Sequence, residues 1–415
     1  MRPPGVLMRI AYVTQWFEPE PNIVKGIQFV HALQAAGHDV TVVTGLPNYP
    51  SGRIFPAYRV RLIQRELIDG VEIVRLPLYP SHDRSSLRRS LNFLSFFVSA
   101  FVYLLLRRSR FDLAYVYHPP ITVGLAAALA RMPFLLDVQD LWPDTIAATG
   151  MSGASGLVGP LGACCRFVYA RASAIVAQSE GMKHALVERG VPEAKVTVIH
   201  NWAEAEFQIV PAGASSEAPF TLVYGGNLGR AQQLGNLIEA AAILKRERPD
   251  IRILLFGSGI DEDDLRRQAE RQRLGNIRFG GRIPVQEIVQ EFAGADALLL
   301  HLGDDPLFAI TIPSKTQNYL AMARPIVAAV NGEAAQILRD SGAAVVVPPA
   351  QPAALANAII EVADASRSKR ERMGEAGAEY YRQHFSFSEG MSRTVSLLDG
   401  TYAALALAAD QRRTA

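Results

Sequence analysis

Two loops in the second half of the 415-residue chain carry residue types suited to binding phosphate. The first loop, Gly225-Gly226-Asn227-Leu228-Gly229-Arg230, lies between an apolar run and a helical pattern that starts near Gly235. Glycines let backbone N–H groups approach a phosphate, and the N-terminus of a following helix favours negative charge. The spacing matches neither the dinucleotide-binding G-x-G-x-x-G pattern nor a P-loop. Because a tight strand-to-helix turn needs glycine in any case, this loop alone is weak evidence for a phosphate site.

The second loop is Ile312-Pro313-Ser314-Lys315, directly before another helical pattern. Ser314 is the predicted N-cap, preceded by Pro313 and followed by Lys315 in the first turn. A lysine at this end opposes the helix dipole, which makes sense if an anion also occupies the helix end. We therefore predict that Lys315, the helix dipole and the glycine loop bind one diphosphate. A solvent-exposed lysine is the alternative.

Further polar residues follow predicted strands. Gly257 follows one such strand, and Arg282-Ile283-Pro284 follows another and could hold a flat base against backbone amides. His118 ends an apolar run and precedes two prolines, a position that favours a ligand site. The segment Asp137–Asp144 places three carboxylates and Trp142 on one loop. Because crowded carboxylates repel one another unless something relieves them, this loop is also predicted to be functional.

Strand-like apolar runs alternate with helical patterns along the chain. Nearly continuous Val, Ile and Leu runs indicate buried parallel strands that helices cover on both faces. The alternation occurs twice, before and after a segment at 204–219 that is rich in alanine, serine and proline and is interpreted as a linker. The predicted fold class is α/β, with two doubly wound Rossmann-like domains, 1–203 and 220–389, facing each other across a cleft. The last helix, within 390–415, is a candidate for crossing back to the first domain.

Composition excludes several classes of protein. Hydrophobic residues make up 49% and charged residues 20% of the chain, as in folded globular proteins. The formal net charge of +2 gives no generally basic surface for nucleic acid. The adjacent Cys164 and Cys165 exclude a disulfide framework and a cysteine zinc site, and indicate a reducing cytoplasm. No nucleophile elbow and no histidine metal motif is present, and residues 1–7 are interpreted as an extension before Met8 without a structural role.

An apolar stretch at 91–106 has arginines on both sides: Arg88, Arg89, Arg107, Arg108 and Arg110. Sixteen residues form a helix of about 24 Å, shorter than the roughly 30 Å hydrocarbon core of a bilayer, so spanning is not expected. Two interpretations remain open: a buried domain helix, or an interfacial helix whose arginines contact anionic headgroups. The segment Arg53–Arg110 contains 11 arginines, no lysine and four acidic residues. This excess of positive charge favours peripheral association with the inner face of the plasma membrane.

Taken together, these residues resemble the retaining GT-B glycosyltransferases of family 4, and more narrowly their WbuB-like and colanic-acid-type branch. The matching pieces occur in order along the chain, and they are Phe17–Glu20, Gly37–Val40, Pro47–Pro50, Gln139–Pro143, Asn201-Trp202, Gly226–Gly229 and Pro313–Lys315. The resemblance implies a GT-B fold whose second domain binds a nucleotide-diphospho sugar and whose first domain binds the acceptor.

The resemblance also implies roles for individual residues. The catalytic candidates are His118, facing the transferred sugar, and Lys315 and Arg230, facing the diphosphate. The donor-binding candidates are Gly226, Asn227, Gly229, Gln232, Gly257, Arg282, Ile283, Pro284, Pro313, Ser314 and Asn318. The acceptor-binding candidates are Glu20, Asn48, Asp140 and Trp142.

The chain departs from the broader superfamily at two pairs of positions. Asn227 and Gln232 replace an arginine and a lysine, and Ile310 and Asn318 replace two glutamates near the sugar and ribose. The WbuB-like branch resembles this sequence in lacking them. Neutralisation of the diphosphate is therefore expected to depend mainly on Lys315, and the ribose contact at Asn318 stays open.

The activity implied is transfer, with retention and without a metal ion or cofactor, of a fucose-like or N-acetylfucosamine-like sugar from a UDP-linked donor. The expected acceptor is an undecaprenyl-diphosphate-linked saccharide used in bacterial surface polysaccharide synthesis. One alternative is a non-hydrolysing sugar-nucleotide epimerase, against which Ile310 and Asn318 argue because that site would need extra carboxylates. The other is a two-domain solute-binding protein, which would be exported, whereas the first residues show no signal-peptide pattern.

Overall fold

The computed structural model describes residues 7–20, 24–82, 85–145, 158–207 and 219–414. The chain divides into two compact units, one formed by Met1–Ile199 with Gly390–Ala415 and the other by His200–Glu389. Residues 1–6 of the predicted N-terminal extension and residues 208–218 of the predicted linker lie outside the described residues.

The first unit is built on an eight-stranded sheet. Its strands are β1 (Arg9–Val13), β2 (Asp39–Gly45), β3 (Gln64–Ile68), β4 (Val71–Leu76), β5 (Leu113–His118), β6 (Phe134–Val138), β7 (Ala174–Ala177) and β8 (Val196–Val198). They lie in the order β3-β4-β2-β1-β5-β6-β7-β8. All neighbours are parallel except β3 and β4. The sequence does not predict β3, because this edge strand buries none of its side chains and so lacks an apolar run.

The described residues before the second unit form five α-helices. They are α1 (Ile27–Ala35), α2 (Ser86–Arg107), α3 (Ile121–Leu129), α4 (Val158–Arg171) and α5 (Glu180–Glu188). Helix α2 has 22 residues, so it is about 33 Å long and the predicted length was wrong. The apolar run begins at Leu91, but the Ser85 side chain accepts the backbone N–H of Arg88 and caps a polar first turn. Leu87–Arg110 is, within the described ranges, the one helical stretch long and apolar enough to cross a membrane, so length does not exclude spanning.

The second unit contains a six-stranded sheet. Its strands are β9 (Thr221–Gly225), β10 (Arg252–Phe256), β11 (Ile277–Gly281), β12 (Ala297–His301), β13 (Ile326–Ala329) and β14 (Ala344–Val347). All neighbours are parallel, in the order β11-β10-β9-β12-β13-β14. Because the strands run in one direction, all their carboxyl ends lie at the same edge, where ligands of open α/β sheets bind.

The helices of the second half are α6 (Gly235–Glu247), α7 (Glu262–Arg271), α8 (Val285–Gly294), α9 (Pro306–Ala309), α10 (Ser314–Ala321), α11 (Gly332–Asp340), α12 (Pro352–Asp364), α13 (Arg367–His384) and α14 (Phe387–Thr414). From Gly390 onward, α14 belongs to the first unit. There Met391, Val395 and Leu398 are buried, and Asp399 lies 3.6 Å from a ring nitrogen of His38.

Alternate residues of the second sheet face opposite layers of helices. Leu299 lies in one buried cluster, whereas Leu298 and Leu300 lie in the other. A sheet with apolar clusters on both faces is doubly wound, so the α/β prediction is confirmed. Phe207 packs in the second cluster, with its ring centre 6.0 Å from that of Phe292. Residues 204–207 therefore belong to the second unit instead of the predicted linker, because burying Phe207 fixes them to this core.

Candidate active site

Lys315 lies against the glycine loop that follows β9. Its Nζ donates a hydrogen bond to the Tyr224 hydroxyl at 2.8 Å and lies 4.3 Å from the centre of that ring. Gly226 has a φ of 142°, and a Cβ there would lie 2.5 Å from Nζ and Cε of Lys315. Only glycine therefore lets the ammonium group lie beside this loop. The structure brings together the two features that the sequence assigned to one diphosphate site.

Burial changes the charge properties of Lys315. It lowers the pKa of the ammonium group from its ordinary value to about 8. A lysine in such surroundings gains stability as a cation when an anion is placed beside it, because the opposite charge favours the protonated form. A phosphate group would therefore have a favourable electrostatic partner here.

The N-terminus of α10 carries no side-chain cap. Pro313 is the N-cap, with φ −64° and ψ 141°, and Ser314 is the first helical residue. The prediction that Ser314 caps the helix was wrong because the helix starts one residue earlier, after the extended Pro313. The backbone N–H of Thr316 bonds to the Pro313 carbonyl at 2.8 Å. Since no side chain caps the helix, its first amides and the dipole remain suited to an anion.

Gly257 has a packing role. It adopts a φ of 124°, and a Cβ there would overlap the Gly226 carbonyl oxygen. The Gly226 N–H in turn bonds to the Phe256 carbonyl at 2.9 Å. The loops after β9 and β10 therefore pack backbone to backbone. This backbone contact alone explains why position 257 is a glycine, without any contact to a nucleotide-sugar donor.

His301 is a further candidate site residue, which the sequence did not single out. It ends β12, is buried, and has Nδ1 2.7 Å from the Gln232 carbonyl oxygen. Its Nε2 is buried without a hydrogen-bond partner among the described residues. Burial lowers the pKa of His301 to about 4, and the charge of Lys315 also lowers it. Its position as the last residue of a strand is the same signal that identified His118.

Asn318 and Glu204 form a second unexpected contact. The Asn318 side chain is buried, and its Oδ1 accepts the backbone N–H of Glu204 at 3.2 Å. Asn318, which is expected near the ribose, therefore already accepts a hydrogen bond from the protein's own backbone. Burial raises the pKa of the Glu204 carboxyl, while the Asn318 contact opposes that rise. Sequence reasoning missed Glu204 because it fell inside the predicted linker.

Most of the remaining residues predicted to bind the nucleotide-sugar donor are exposed and do not contact Lys315. Arg230, Arg282 and Pro284 are exposed, and Ile283 is half-buried. Asn227 is exposed and donates through Nδ2 to Gln232 Oε1 at 3.2 Å. The structure does not bring either arginine into contact with Lys315, so their predicted roles rest on the sequence.

In the first unit, His118 ends β5 and is fully buried. Neither ring nitrogen has a hydrogen-bond partner among the described residues. Burial lowers the pKa of His118 to about 3, so the imidazole is neutral at physiological pH. Its ring packs edge-on against Trp142 at a centre-to-centre distance of 5.8 Å. Because a neutral imidazole carries one donor and one acceptor, His118 has the capacity to hold a hydroxyl group.

Glu20 and Asn48 bind the protein's own loops. The buried Glu20 carboxylate accepts backbone N–H groups from Phe17 at 3.2 Å, Asn48 at 2.7 Å and Tyr49 at 2.8 Å. Burial raises the pKa of Glu20, and these hydrogen bonds oppose the rise. The Asn48 side chain donates to the Leu46 carbonyl at 3.0 Å. Both residues lie at the predicted edge of the sheet. Their hydrogen bonds to the protein's own loops explain their presence without a bound acceptor substrate.

The carboxylates of the loop after β6 have different environments. Asp137 is bonded to Lys25 and accepts the Tyr115 hydroxyl at 2.5 Å, and Asp144 pairs with Arg189 at 2.8 Å. The expectation that a ligand must relieve their crowding was therefore wrong for these two, because cations of the protein neutralise them. The Asp140 carboxylate has no ion-pair or hydrogen-bond partner among the described side chains, and burial raises its pKa. No metal-binding group of acidic, histidine or cysteine residues occurs in the part of the chain that is described.

The two doubly wound α/β units, with one mixed sheet and one parallel sheet, are those of the GT-B fold. HepE of Anabaena, solved in complex with UDP and glucose, superposes with a TM-score of 0.67 over 94% of this chain and 99% of HepE, at 16% identity. Sucrose-phosphate synthase of Thermosynechococcus elongatus gives a TM-score of 0.70 over 96% of this chain and 100% of that structure, at 17% identity. At these identities the likeness shows the fold.

Sequence similarity establishes the family. Residues 28–202 match the Glycosyl transferase 4-like domain family, and residues 207–380 match the family Glycosyl transferases group 1. The chain is 31% identical over 324 residues to WcaI of Escherichia coli K12, named as a colanic acid biosynthesis glycosyl transferase, covering 71% of this chain and 76% of WcaI. WbjE of Pseudomonas aeruginosa, named as a glycosyltransferase, is 25% identical over 61% of this chain and 64% of its own length. The chain belongs to the GT-B glycosyltransferases that have a family 4-like domain followed by a group 1 domain. This membership favours a glycosyltransferase over an epimerase or a solute-binding protein.

Proposed function

We propose that the protein transfers a sugar from a UDP-linked donor to a lipid-linked saccharide, with retention of configuration and without a metal ion. The observation that carries this proposal is the partly buried ammonium group of Lys315 beside Gly226 and the uncapped N-terminus of α10. The complex of HepE with UDP supports a UDP-linked donor. The likeness to WcaI, which is named for colanic acid biosynthesis, supports a role in bacterial surface polysaccharide synthesis. The choice of a fucose-like or N-acetylfucosamine-like sugar rests on the sequence resemblance alone.

The chemistry follows from the charge that develops on the donor. The bond between C1 of the sugar and the diphosphate oxygen breaks, and the diphosphate leaves with additional negative charge. Lys315 and the first amides of α10 stabilise this charge, because fixed donors act strongly where charge develops in the transition state. The acceptor hydroxyl oxygen bonds to C1 on the face that the diphosphate leaves, and its proton passes to the departing phosphate oxygen.

His118 and Asp140 are proposed to serve the sugar and the acceptor. The neutral imidazole of His118 is suited to holding a hydroxyl of the transferred sugar once the packing around its buried ring opens, since both its ring nitrogens lack partners among the described residues. Asp140 is suited to accepting a hydrogen bond from the acceptor hydroxyl, because its carboxylate has no partner within the described chain. We place the enzyme in the cytoplasm, with α2 on the inner face of the plasma membrane.

Thermal unfolding with a panel of nucleotide sugars tests the donor site. A ligand that binds only the folded state raises stability by RT ln(1 + [L]/Kd), which is about 2.7 kcal/mol at a hundredfold excess over Kd. We expect UDP sugars to raise the Tm of the wild type but not that of Lys315→Ala. Lys369→Ala is the matched control, because Lys369 is an exposed lysine in the first turn of α13. An equal shift in the Lys315 variant, or no shift with any nucleotide sugar, would contradict the proposal.

A further inference from the structure

Tyr224 connects the Lys315 side chain to the backbone of the glycine loop. It lies near the carboxyl end of β9, and its side chain is buried in the core of the second unit. Its hydroxyl accepts a hydrogen bond from Lys315 Nζ at 2.8 Å and donates one to the Asn227 carbonyl at 2.6 Å. One phenol group therefore bonds both the cation and the loop that the proposed function assigns to the diphosphate.

The loop is held on both sides of this contact. The peptide unit between Asn227 and Leu228 receives the Tyr224 hydroxyl at its carbonyl, and its N–H donates to the Ser258 carbonyl at 2.9 Å. The next carbonyl, that of Leu228, accepts the N–H of Asp261 at 3.0 Å. Because the protein occupies the polar groups on both edges of the peptide, its orientation is fixed before any ligand binds. Removing the hydroxyl would free one of these edges.

The direction of the hydrogen bonds favours a charged lysine. A phenol has a single proton, which Tyr224 donates to Asn227, so its oxygen can offer only a lone pair to Lys315. A lone pair binds an ammonium group more strongly than a neutral amine, so the contact stabilises the protonated form. The ring acts in the same direction, because Nζ lies 4.3 Å from its centre and an aromatic face attracts a cation.

Lys315 needs this support because burial works against its charge. Burial lowers the pKa of Lys315 to about 8, so part of the protein carries a neutral amine at mildly alkaline pH. Within the described ranges Lys315 forms no ion pair with a carboxylate, and its hydrogen-bond partner there is the Tyr224 hydroxyl. The loss of that hydroxyl would leave the ammonium group with less to offset its burial.

The other titratable groups around Lys315 keep one charge state near neutral pH. Burial lowers the pKa of His301, at the end of β12, to about 4, and the charge of Lys315 also lowers it. Burial raises the pKa of the Tyr319 hydroxyl on α10 and that of Tyr224 itself. Lys315 is therefore the group expected to titrate at this site between about pH 6 and pH 9.

We propose that Tyr224 is a positioning residue of the donor site, whose hydroxyl holds Lys315 as a cation beside the glycine loop and fixes that loop for the diphosphate. It acts through Lys315 and the Asn227 carbonyl without contacting the donor. The hydroxyl thus sets the fraction of the protein that can bind a diphosphate at a given pH. This inference rests on the proposed transferase function, because the diphosphate belongs to the donor of that reaction.

The charge of Lys315 can be measured without any nucleotide. Acetic anhydride acylates the neutral amine, so labelling at a series of pH values gives a midpoint for the Lys315 peptide by mass spectrometry, with the exposed Lys369 as reference. The wild-type midpoint is expected near pH 8. Tyr224→Phe keeps the ring and loses the hydroxyl, and should lower the midpoint by about one pH unit. Tyr319→Phe is the matched control, because its buried hydroxyl bonds the Gly225 carbonyl at 3.4 Å, and it should keep the wild-type midpoint.

The pH profile of UDP binding separates a charge effect from a purely structural one. Calorimetric titration with UDP from about pH 6.5 to pH 8.5 keeps the phosphates ionised, since their second pKa is about 6. Affinity should fall as the pH rises through the pKa of Lys315, because the competent fraction of the protein falls. The deficit of Tyr224→Phe relative to the wild type should therefore grow about sixfold over this range. Lys315→Arg, whose guanidinium stays charged, should lose this fall in affinity.

The possible results lead to different conclusions. Circular dichroism first confirms that Tyr224→Phe is folded. An unchanged labelling midpoint in that variant would overturn the proposal, and so would a deficit in UDP affinity that is the same at every pH. A lowered midpoint in the variant together with no UDP binding by the wild type would support the hold of Tyr224 on Lys315 and contradict the proposed donor site. Failure of this inference and failure of the proposed function are therefore distinguishable.

Discussion

Two buried histidines end strands in the two sheets, and both have a lowered pKa. Burial lowers the pKa to about 3 for His118 and to about 4 for His301. A histidine in an unfolded chain has a pKa of about 6.5. Between these values the unfolded state binds protons that the folded state excludes. Stability is therefore fully present above the unfolded pKa and is lost as the pH falls through and below it.

The histidines should thus make the protein sensitive to acid. Each is expected to lower the free energy of unfolding by about 2 kcal/mol between pH 7.5 and pH 5. Urea unfolding at the two pH values measures this, with His301→Asn expected to lose its share of the pH dependence. His184→Asn, at an exposed position on α5, is the control and should keep it. A wild-type pH dependence in His301→Asn would show that this imidazole is not excluded from protonation.

Glu20 allows its structural and acceptor-binding roles to be separated. Its carboxylate accepts three backbone N–H groups, two of them from the loop after β2. Glu20→Gln removes acceptor capacity and should lower the free energy of unfolding by about 1–3 kcal/mol. Chemical unfolding measures the loss, with the exposed Glu188→Gln as control. A stable variant with a raised KM for the acceptor would instead favour the acceptor role that the sequence resemblance implied.

The residues that the sequence identified share a visible local signal. Lys315 stands out because its charge opposes a helix dipole, and His118 because it ends an apolar run. Arg75 has no such local signal, because it is a single arginine within a strand sequence. In the folded protein it is buried and donates hydrogen bonds to Glu66 and to the Glu18 carbonyl. Contacts between residues distant in sequence depend on tertiary packing, so sequence patterns do not predict them.

Helices and strands were likewise predicted where the sequence carries a local signal and missed where it does not. The parallel strands were predicted because strands buried on both faces have continuous apolar runs. Strand β3 was missed because an edge strand that buries no side chain has no such run. Helix α2 was predicted too short because its first turn is polar and depends on the Ser85 cap.

Helix α2 gives the prediction for membrane binding. One face of the helix is buried through Phe96, Ala100 and Leu104, while an exposed apolar stripe includes Leu94 and Val98. Apolar burial drives interfacial binding, and arginines add attraction to anionic lipid that salt screens. Leu94→Asp with Val98→Asp should abolish co-sedimentation with phosphatidylglycerol vesicles. Replacing Arg88, Arg89, Arg107 and Arg108 by glutamate should do the same.

The control for α2 is an exposed leucine elsewhere. Leu407→Asp on α14 replaces a side chain that is 66% exposed and should leave vesicle binding unchanged. Wild-type binding should weaken as salt rises from 0.05 to 0.5 M, values chosen because the Debye length falls from about 14 Å to about 4 Å. Retained sedimentation of the arginine variant would remove the electrostatic part of the proposal. Retained sedimentation of the stripe variant would remove the apolar part.

Each unit has its own sheet, its own core and its own edge of loops, so ligand effects can be assigned to one unit at a time. The diphosphate candidates lie in the second unit, at the loops after β9 and β10 and at the start of α10. The acceptor candidates lie in the first unit, at the loops after β1, β2 and β6. The resemblance to the GT-B glycosyltransferases implies this division of roles, which predicts that UDP acts on the second unit.

Hydrogen exchange measured by mass spectrometry tests that division. UDP should slow exchange at the amides of Asn227, Gly229, Ser314 and Lys315, because a bound phosphate accepts hydrogen bonds from amides that have no acceptor within the described chain. Lys315→Ala should lose this response, whereas the control variant Lys369→Ala should keep it. If UDP protected the loops of Trp16 and Tyr49 while leaving residues 313–317 unchanged, the donor would bind in the first unit and the assignment of the two substrates would be reversed.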